Sequence, residues 1–413
     1  MPRRTSVLLP LLTLAFVLVA ATPARAQLLG PVRGLPVGQI PGAGLSGLPP
    51  ASLQPRIDDL LRTTQALTRS LQIQTLLHAQ PRRVAVDPQG QPVLRGEFLA
   101  MDLTGAQIDA LQVQGFIADS RASRDAALGL DVVVLRDSRD RSEAAAMRAL
   151  QQAAPQAAFT YQHLYLPAGE ADAAEDGAAN SLASAAMAHR IGLIDGGVDA
   201  SDPALERARI EDHGCAKPTA SPHGTAVAAR LVDGDSDTLY AADLWCGDAV
   251  GGTTSNLVEA LAWMARERVP VINISLVGPD NPVLARAVQA LITRGHVLVA
   301  AVGNDGPAAP PLFPSAYPGV IGVSGVDAHD RILPESGSGD QVAFCASGVL
   351  GRGRRAMRGT SFAAPIVARR AAQLLEAPHA DAAAQVLQKL ASQARDLGAP
   401  GRDPRYGYGL LSP

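Results

Sequence analysis

The sequence predicts an α/β fold with a mainly parallel sheet over residues 189–413, preceded by a small α+β domain over residues 97–168. In the longer region, continuous apolar runs are typical of parallel strands that helices cover on both faces. These runs alternate with segments whose apolar residues recur at helical spacing, which is the pattern of an α/β domain. The strand-like runs are RIGLID, PVINISL, HVLVAAVG and GVIGVSGV, and the helical segments include NLVEALAWMARE and PVLARAVQALITRG.

The α+β domain alternates between strand-like and helical patterns over shorter distances. EFLAMDL is strand-like, TGAQIDALQVQG is a short helix that Thr104 can cap, and LDVVVLR is a strand rich in β-branched residues. SEAAAMRALQQAA is helical and ends before Pro155, after which AFTYQHLYL returns to strand. We predict a split βαβ arrangement for this domain.

The N-terminus carries the features of an export signal. Two arginines precede an apolar core, Val7–Ala21, and the small-x-small site ARA follows it, which predicts a signal peptide over residues 1–26 and cleavage before Gln27. The alternative is a membrane anchor, but the apolar core is short for a bilayer span and no second long apolar run follows. We therefore expect a secreted or periplasmic protein without a stable membrane anchor.

Three segments connect these parts. Residues 27–55 are rich in Gly, Pro and Leu without periodicity, which predicts an extended linker. Residues 56–96 are predicted to form a helical segment and a connection, because their first half places apolar residues on one helical face. Residues 169–188 are acidic and rich in Ala and Gly, so that a second, exposed linker is expected there.

Composition, net charge and cysteine content limit the partners and the disulfides that can be expected. With 47% hydrophobic residues among 413, the chain can fill a substantial core. A net charge of −3 gives no reason to expect nucleic acid or an anionic membrane as a partner. Export permits disulfides, and Cys215 and Cys246 can close a loop of about 30 residues. Cys345, in an apolar run, fits a buried free thiol, but the pairing stays open.

Four polar residues occupy positions where a structural role and a chemical role are both open. Asp195 in IGLIDGGVD follows an apolar strand and can hold a turn. His223 in HGTAVAARL begins an apolar helix, and Asn304 in AAVGNDGP lies in a Gly-flanked turn. Ser361 in GTSFAAP can be an ordinary helix-start residue or a nucleophile. Each structural explanation suffices for one residue taken alone.

Taken together, six motifs resemble the subtilisin-like serine proteases, the S8 family, in kind, order and approximate spacing. They are IGLIDGGVD, HGTAVAARL, INISL, VLVAAVGNDGP, FPSAYPGVIGVSGVD and GTSFAAPIVA, and they extend over residues 190–411. The resemblance implies the three-layer subtilisin-like fold and a serine endopeptidase that hydrolyses peptide bonds in protein or peptide substrates. It also implies a catalytic triad of Asp195, His223 and Ser361, with Asn304 in the oxyanion hole.

The chemistry of these residue types agrees with that assignment. A serine hydroxyl is a poor nucleophile near neutral pH unless a base takes its proton, and His223 is the candidate base. A buried carboxylate that accepts from the other imidazole nitrogen fixes the tautomer and stabilises the cation, which is the expected role of Asp195. The Asn304 amide and the Ser361 backbone N–H can donate to the oxyanion.

The resemblance further implies a set of substrate-binding residues, and one of them departs from the family pattern. The set is Ser275, Leu276, Val277, Ala301 and Gly303. Val277 stands where the family generally has Gly, so we expect the wall of the primary specificity pocket to differ. No catalytic metal is expected, whereas structural calcium ions are compatible with the resemblance.

The domain at residues 97–168 resembles a subtilase propeptide in its position, although less specifically. Propeptides of this family assist folding of the catalytic domain and block its cleft until they are removed. The resemblance therefore implies a self-processed zymogen whose own N-terminal domain is its first partner. A permanently attached accessory domain is the alternative, because no residue pattern between Tyr165 and Ala188 marks a cleavage site.

Three further alternatives stay open. A catalytically silent binding protein can share the same scaffold. An exported esterase of the α/β-hydrolase class would use His379 as its histidine, although Ser361 lies in GTSFA and not in a G-x-S-x-G elbow. The arginines just before Ser361 are either a solvated loop or a cationic surface that favours acidic residues after the scissile bond; they are Arg352, Arg354, Arg355 and Arg358.

Overall fold

The structure is a computed structural model of the full chain. It describes residues 71–119, 127–168, 189–232, 237–351 and 356–413, and the backbone of residues 124–125. The chain divides into a unit of residues 1–50 and a unit of residues 51–413, and every described residue belongs to the second. The predicted signal peptide, both predicted linkers and residues 352–355 lie outside the described residues.

An antiparallel sheet with two helices forms the N-terminal part. β2 pairs with β1, β5 and β6, and β5 also pairs with β3 and β4. The order β2, α2, β3, β5, α3, β6 confirms the predicted split βαβ arrangement. The elements are α1, described over residues 71–79, β1 (Val84–Val86), β2 (Pro92–Met101), α2 (Gly105–Val113), β3 (Phe116–Asp119), β4 (Arg124–Asp125), β5 (Leu130–Asp137), α3 (Glu143–Ala153) and β6 (Ala158–His163).

This sheet begins earlier than the sequence predicted. Residues 84–86 and 92–96 are strand and not a connection, so the boundary at residue 97 was wrong. β1 is a three-residue strand, too short to show a periodic pattern. The predicted cap of α2 is confirmed, because the Thr104 hydroxyl accepts from the Gln107 backbone and the Gln107 side chain accepts from the Thr104 backbone.

The C-terminal part is built on a seven-stranded sheet in the order β15-β14-β13-β11-β8-β10-β9, and all of its strand pairs are parallel. This confirms the predicted mainly parallel sheet. Its strands are β8 (Arg190–Asp195), β9 (Arg209–His213), β10 (Thr238–Asp243), β11 (Val271–Ile274), β13 (Val297–Ala301), β14 (Ile321–Val326) and β15 (Val342–Ser347). Two pairs of short strands are β7 (Leu166–Pro167) with β12 (Leu276–Val277), and β16 (Val349–Leu350) with β17 (Met357–Arg358).

Helices cover both faces of this sheet, which confirms the predicted three layers. They are α4 (Pro222–Leu231), α5 (Thr254–Arg266), α6 (Pro282–Thr293), α7 (Thr360–Ala372) and α8 (Ala382–Gln393). Val297 and Val299 of β13 share one core cluster with residues of α4, α7 and α8. The next residues, Leu298 and Ala300, share the other cluster with α5 and α6, because successive side chains of a strand point to opposite faces.

The structure contains the disulfide that the sequence left open. Cys215 and Cys246 form a disulfide with a Cα–Cα distance of 5.5 Å, and Cys345 is a buried free thiol. Burial raises the pKa of the Cys345 thiol to about 12. Within the described ranges, no helix is both long and apolar enough to cross a membrane.

Candidate active site

Parallel strands bring three of the predicted residues to one edge of the sheet. Asp195 is the last residue of β8, His223 lies in the first turn of α4, and Ser361 lies in the first turn of α7. In an open α/β sheet the loops that follow the carboxyl ends of the strands meet at one edge. The 138 residues that separate His223 from Ser361 are therefore no obstacle to their contact.

The side chains of these three residues form one hydrogen-bonded chain. His223 Nδ1 lies 2.9 Å from Asp195 Oδ1, and His223 Nε2 lies 2.9 Å from Ser361 Oγ. The carboxylate also accepts from the Gly196 backbone N–H at 2.6 Å. Asp195, His223 and Ser361 are 2%, 6% and 0% exposed, so these contacts operate in a water-poor environment where electrostatic interactions are strong.

Local sequence explains how α4 approaches the end of β8 so closely. Ser221 caps the helix by accepting from the Gly224 N–H at 2.9 Å, and Pro222 occupies its first turn. A Cβ at Gly224 would lie 2.3 Å from the Gly196 carbonyl oxygen, closer than side chains tolerate. The glycine of HGT is thus needed to place the imidazole against the carboxylate.

Two hydrogen-bond donors converge on the carbonyl oxygen of Ala168. The Ser361 backbone N–H donates to it at 3.0 Å, and the Asn304 side-chain amide donates at 2.5 Å. Such a pair of preorganised donors is what an oxyanion hole requires. The sequence predicted both donors but did not predict that this chain's own Ala168 occupies the site.

Thr360 orients the Asn304 amide, a role that was not predicted from the sequence. Its hydroxyl and its backbone N–H both donate to Asn304 Oδ1, at 3.1 and 3.0 Å. With the amide oxygen held on this side, the NH2 group points to the Ala168 carbonyl. The hydroxyl also accepts from the Gly303 N–H at 3.1 Å. The threonine of the GTS motif was the available signal.

The segment that ends at Ala168 lies in extended form between two edges of the C-terminal part. Leu166–Pro167 pairs antiparallel with Leu276–Val277, and the Ala168 N–H donates to the Ser275 carbonyl at 3.0 Å. On the other side, the Tyr165 N–H donates to the Gly252 carbonyl at 2.7 Å. Residues 165–168 therefore occupy the cleft as a bound peptide strand would.

The predicted substrate-binding residues divide into two groups. Ser275, Leu276 and Val277 contact the segment through their backbone, as the strand pairing shows. Ala301 shares a core cluster with Ala168, whereas Gly303 uses its N–H to hold Thr360. Gly252, on the opposite edge of the cleft, was not predicted because nothing in GGTTSN marks a strand.

A partly buried guanidinium supports the start of α7. Arg230 of α4 donates to the carbonyls of Ser347, Val349 and Phe362, at 2.6 to 2.7 Å. Burial, together with the positive charge of Arg369, lowers the pKa of Arg230 to about 10. Arg230 thus ties the strand ends before Ser361 to the helix that carries His223.

The positions of single side chains exclude one of the alternatives and bear on another. Ser361 contacts His223, while His379 is exposed and directs its Nδ1 to the Ala380 carbonyl, so the esterase arrangement is wrong. The Arg358 guanidinium pairs with the Glu335 carboxylate at 3.2 Å, which balances its charge locally. The other three arginines lie outside the described residues, so a cationic surface stays a prediction.

Among the described residues, the side chains that come together as possible metal ligands do not form a calcium site. Over the described ranges, one group of His, Cys, Asp and Glu side chains is compact enough to share an ion, namely Cys215, Asp243 and Cys246. Its two sulfurs are joined to each other, and calcium prefers oxygen ligands, so this set does not fit a calcium ion. The expectation of structural calcium elsewhere stays untested.

Known proteins share this fold and these motifs. Residues 188–409 match the Subtilase family. Subtilisin DY of Bacillus licheniformis is 30% identical over 246 residues, covering 54% of this chain and 88% of that protein. The minor extracellular protease Epr of Bacillus subtilis (strain 168) is 33% identical over 167 residues, which cover 39% of this chain and 26% of Epr.

A solved structure has a similar fold. Fervidolysin from Fervidobacterium pennivorans, a keratinolytic enzyme related to subtilisin, has a TM-score of 0.62 at 16% identity, covering 80% of this chain and 61% of fervidolysin. The chain thus spans only part of the length of Epr and of fervidolysin. The match over residues 188–409, together with the similarity to subtilisin DY, shows that this chain belongs to the subtilase family of serine peptidases.

Proposed function

We propose that this chain is an exported serine endopeptidase, made as a zymogen that cleaves itself between Ala168 and Gly169. In this proposal Asp195, His223 and Ser361 are the catalytic triad, and peptide bonds are hydrolysed through an acyl-enzyme. The N-terminal domain then serves as a propeptide that occupies the cleft until it is released.

The proposed reaction proceeds in two halves. Ser361 Oγ attacks the carbonyl carbon while His223 Nε2 takes the hydroxyl proton, and Asp195 stabilises the resulting imidazolium. The negative charge that develops on the carbonyl oxygen is held by the Asn304 amide and the Ser361 N–H. When the C–N bond breaks, His223 returns the proton to the leaving amine, leaving an ester on Ser361. A water molecule, deprotonated by His223, then hydrolyses the ester and regenerates the serine.

One observation carries the assignment of the cleaved bond. The Ala168 carbonyl accepts from the two donors proposed for the oxyanion, while the segment before it pairs with both edges of the cleft. A carbonyl in that position is the one that the Ser361 hydroxyl would attack. The new N-terminus after cleavage would be Gly169, at the start of the segment that the sequence predicts to be an exposed linker.

Contacts away from the cleft support a propeptide role for the N-terminal domain. The Gln162 side chain contacts both the backbone and the hydroxyl of Ser255 at the start of α5. His163 contacts Asn281, the residue that caps α6, at 3.0 Å. β6 of the N-terminal domain thus meets the N-terminal ends of two helices of the C-terminal part. These polar contacts fix the direction from which residues 164–168 enter the cleft.

The test compares the wild-type chain with Ser361→Ala, using N-terminal sequencing of the exported protein. The wild type should yield a mature chain that begins at Gly169, and Ser361→Ala should yield only a chain that begins near Gln27. Ser392→Ala, which changes an exposed serine, is the matched control and should be processed as the wild type is. A casein assay on the same samples should show activity in the wild type and the control alone.

Four results would contradict the proposal. Processing of Ser361→Ala at the same bond in a host without other proteases would contradict the claim that the chain cleaves itself. A mature wild-type chain that begins elsewhere would remove the assignment of Ala168. Full casein hydrolysis by Ser361→Ala would contradict the catalytic role assigned to the triad. A wild type without activity would favour the catalytically silent binding protein.

A further inference from the structure

We infer that two neighbouring residues, Val277 and Gly278, select the peptides that this cleft accepts. Val277 restricts the residue just before the cleaved bond to a small side chain, and Gly278 makes room for a tyrosine three residues earlier. The inference rests on the proposed function, because it treats residues 165–168 as a substrate strand. It names the preferred substrate class as Tyr-x-x-Ala, cleaved after the alanine.

Strand geometry separates the two roles. In the antiparallel pair, Val277 lies opposite Leu166 and Leu276 lies opposite Pro167. Because side chains alternate between the faces of a pair, Val277 shares its face with Ala168, and Leu276 belongs to the other face. The core clusters agree, since Ala168 and Val277 belong to one cluster and Leu276 and Tyr165 belong to the other. One strand edge therefore forms part of two different pockets.

The pocket around Ala168 is already full. Ala168, Val277 and Ala301 are 2%, 3% and 0% exposed and belong to the same apolar cluster. A Cβ built at Gly303 would lie 2.7 Å from Leu312 Cδ1 and 3.6 Å from Val277 Cγ1. Methyl groups of these two residues thus occupy the volume next to Gly303. A longer side chain at position 168, on the same face as Val277, would have to enter this closely packed region, and adding atoms to a well-packed core forces strain.

The side chain of Tyr165 lies in a closed pocket that offers polar contacts to its hydroxyl. The side chain is fully buried, and its hydroxyl donates to the Pro279 carbonyl at 2.9 Å. Burial raises the pKa of Tyr165 well above its ordinary value, so the hydroxyl stays protonated and able to donate. A site that hydrogen-bonds a substrate hydroxyl rejects the analogue that lacks it, because its own polar group loses a partner.

Gly278 is the residue that admits the ring. A Cβ at position 278 would lie 2.5 Å from Tyr165 Cδ1 and 2.7 Å from Cε1, so any side chain there would collide with the ring. The ring cannot simply move away, because the Tyr165 N–H is bound to the Gly252 carbonyl and its hydroxyl is bound at Pro279. The backbone at Gly278 is itself paired with Phe313, which fixes the wall of the pocket.

The first experiment measures self-cleavage of the full chain by pulse–chase, with N-terminal sequencing of the product. Ala168→Phe should slow cleavage at this bond by at least about 100-fold, because the phenyl ring has no space beside Val277. Adding Val277→Gly should restore cleavage by at least about tenfold in that chain. Val277→Gly alone should still cleave after Ala168, which shows that the variant folds.

The second experiment uses the same assay as a double-mutant cycle between positions 165 and 278. Gly278→Ala should slow cleavage by at least about tenfold when residue 165 is Tyr, and by much less when it is Ala. Tyr165→Phe should slow cleavage by about tenfold through loss of the Pro279 contact. Equal effects of Gly278→Ala in both backgrounds would overturn the role of Gly278, and wild-type cleavage of Ala168→Phe would overturn that of Val277.

A peptide arm separates failure of the inference from failure of the proposed function. The expressed wild-type chain is given Tyr-Leu-Pro-Ala-Gly-Glu, the sequence of residues 165–170, and versions with Ala at the first or Leu at the fourth position. Faster hydrolysis of the parent than of both versions supports the inference. Equal hydrolysis of all three overturns the inference and leaves the peptidase intact. Hydrolysis of none of them contradicts the proposed function.

Discussion

The two large sheets of this molecule bury their faces in different ways. The parallel sheet of the C-terminal part has its own helices on both faces, so most of the residues in its two core clusters come after residue 189. The antiparallel sheet covers only one face with its own helices, packing Phe98 and Leu135 against α2 and α3. Its other face, with Leu99 and Val132, packs into the cluster formed by α5 and α6. One sheet is self-sufficient and the other depends on it.

This difference suits the proposed roles of the two parts. A triad must be held to within fractions of an ångström, and a sheet with its own helices on both faces supplies that rigidity. A propeptide must fold on its partner and later leave, which is easier for a domain that completes half of its core on the surface of the enzyme. Ile117, in contrast, is 60% exposed on a strand at the sheet edge, away from both cores.

In the C-terminal part, whose sheet has its own helices on both faces, the largest effect is expected from Asn304→Ala. Loss of the amide donor should lower kcat by about 100- to 1,000-fold with a smaller change in KM, because the amide matters most once the oxyanion exists. Steady-state kinetics on a peptide substrate measure both constants. Thr360→Val should lower kcat by a smaller factor, since it removes the hydroxyl that holds Asn304 Oδ1 while the backbone N–H of residue 360 keeps its own hydrogen bond to that oxygen.

Thr360→Ser provides the matched control for that pair, because it keeps the hydroxyl that holds Asn304 Oδ1. It should retain near wild-type kcat. An effect of Asn304→Ala confined to KM would instead assign the amide to ground-state binding and remove it from the oxyanion hole.

In the N-terminal part, the two faces of the antiparallel sheet can be compared by one substitution on each face. In a chain that also carries Ser361→Ala, Leu99→Ala should destabilise the contact between the sheets by about 2 to 4 kcal/mol. Hydrogen exchange should then increase in α5 and α6 as well as in the N-terminal sheet. Leu135→Ala, of similar cost, should increase exchange mainly within β5, α2 and α3, because it empties the domain's own core.

Ile117→Ala is the control for both substitutions and should leave exchange unchanged, since the side chain is largely exposed. The same exchange pattern for Leu99→Ala and Leu135→Ala would show that the two faces of the antiparallel sheet unfold together. It would contradict the proposed difference between the two sheets.

The smallest expected effect is a pH dependence confined to the dependent part. Burial opposes the charge of Asp87, but hydrogen bonds from His163 and from the backbone of Gln91 and Gln89 outweigh it and lower the pKa of the carboxyl below 3.8. A lowered pKa stabilises the fold above the ordinary value, and this stabilisation is lost as pH falls through the folded value. The N-terminal domain should therefore weaken below about pH 4.

Thermal unfolding of the Ser361→Ala chain between pH 6 and pH 3, with and without Asp87→Asn, measures this dependence. Asp87→Asn should flatten the change in the N-terminal transition and leave the C-terminal transition as it is. An identical slope in both chains would show that Asp87 does not contribute.

Local sequence signals sufficed to predict much of this molecule. The apolar runs predicted the parallel strands because a strand covered on both faces needs apolar residues at every position. Thr104 predicted the start of α2, because a cap is satisfied by residues three positions apart. The resemblance of six motifs to the subtilases implied the set Asp195, His223, Ser361 and Asn304, and the chemistry of these residue types agreed with it.

Only the tertiary structure decided what those residues face. Ala168 is one more small residue between Pro167 and Gly169 in the sequence, and its meaning appears only when its carbonyl meets Ser361 and Asn304. The contacts of Gly252 and Gly278 escaped prediction for the same reason, whereas β1 was missed because a three-residue strand shows no periodic pattern. Ala168, Gly252 and Gly278 are defined by partners about 90 to 190 residues distant in the chain, and a linear pattern carries no record of such pairings.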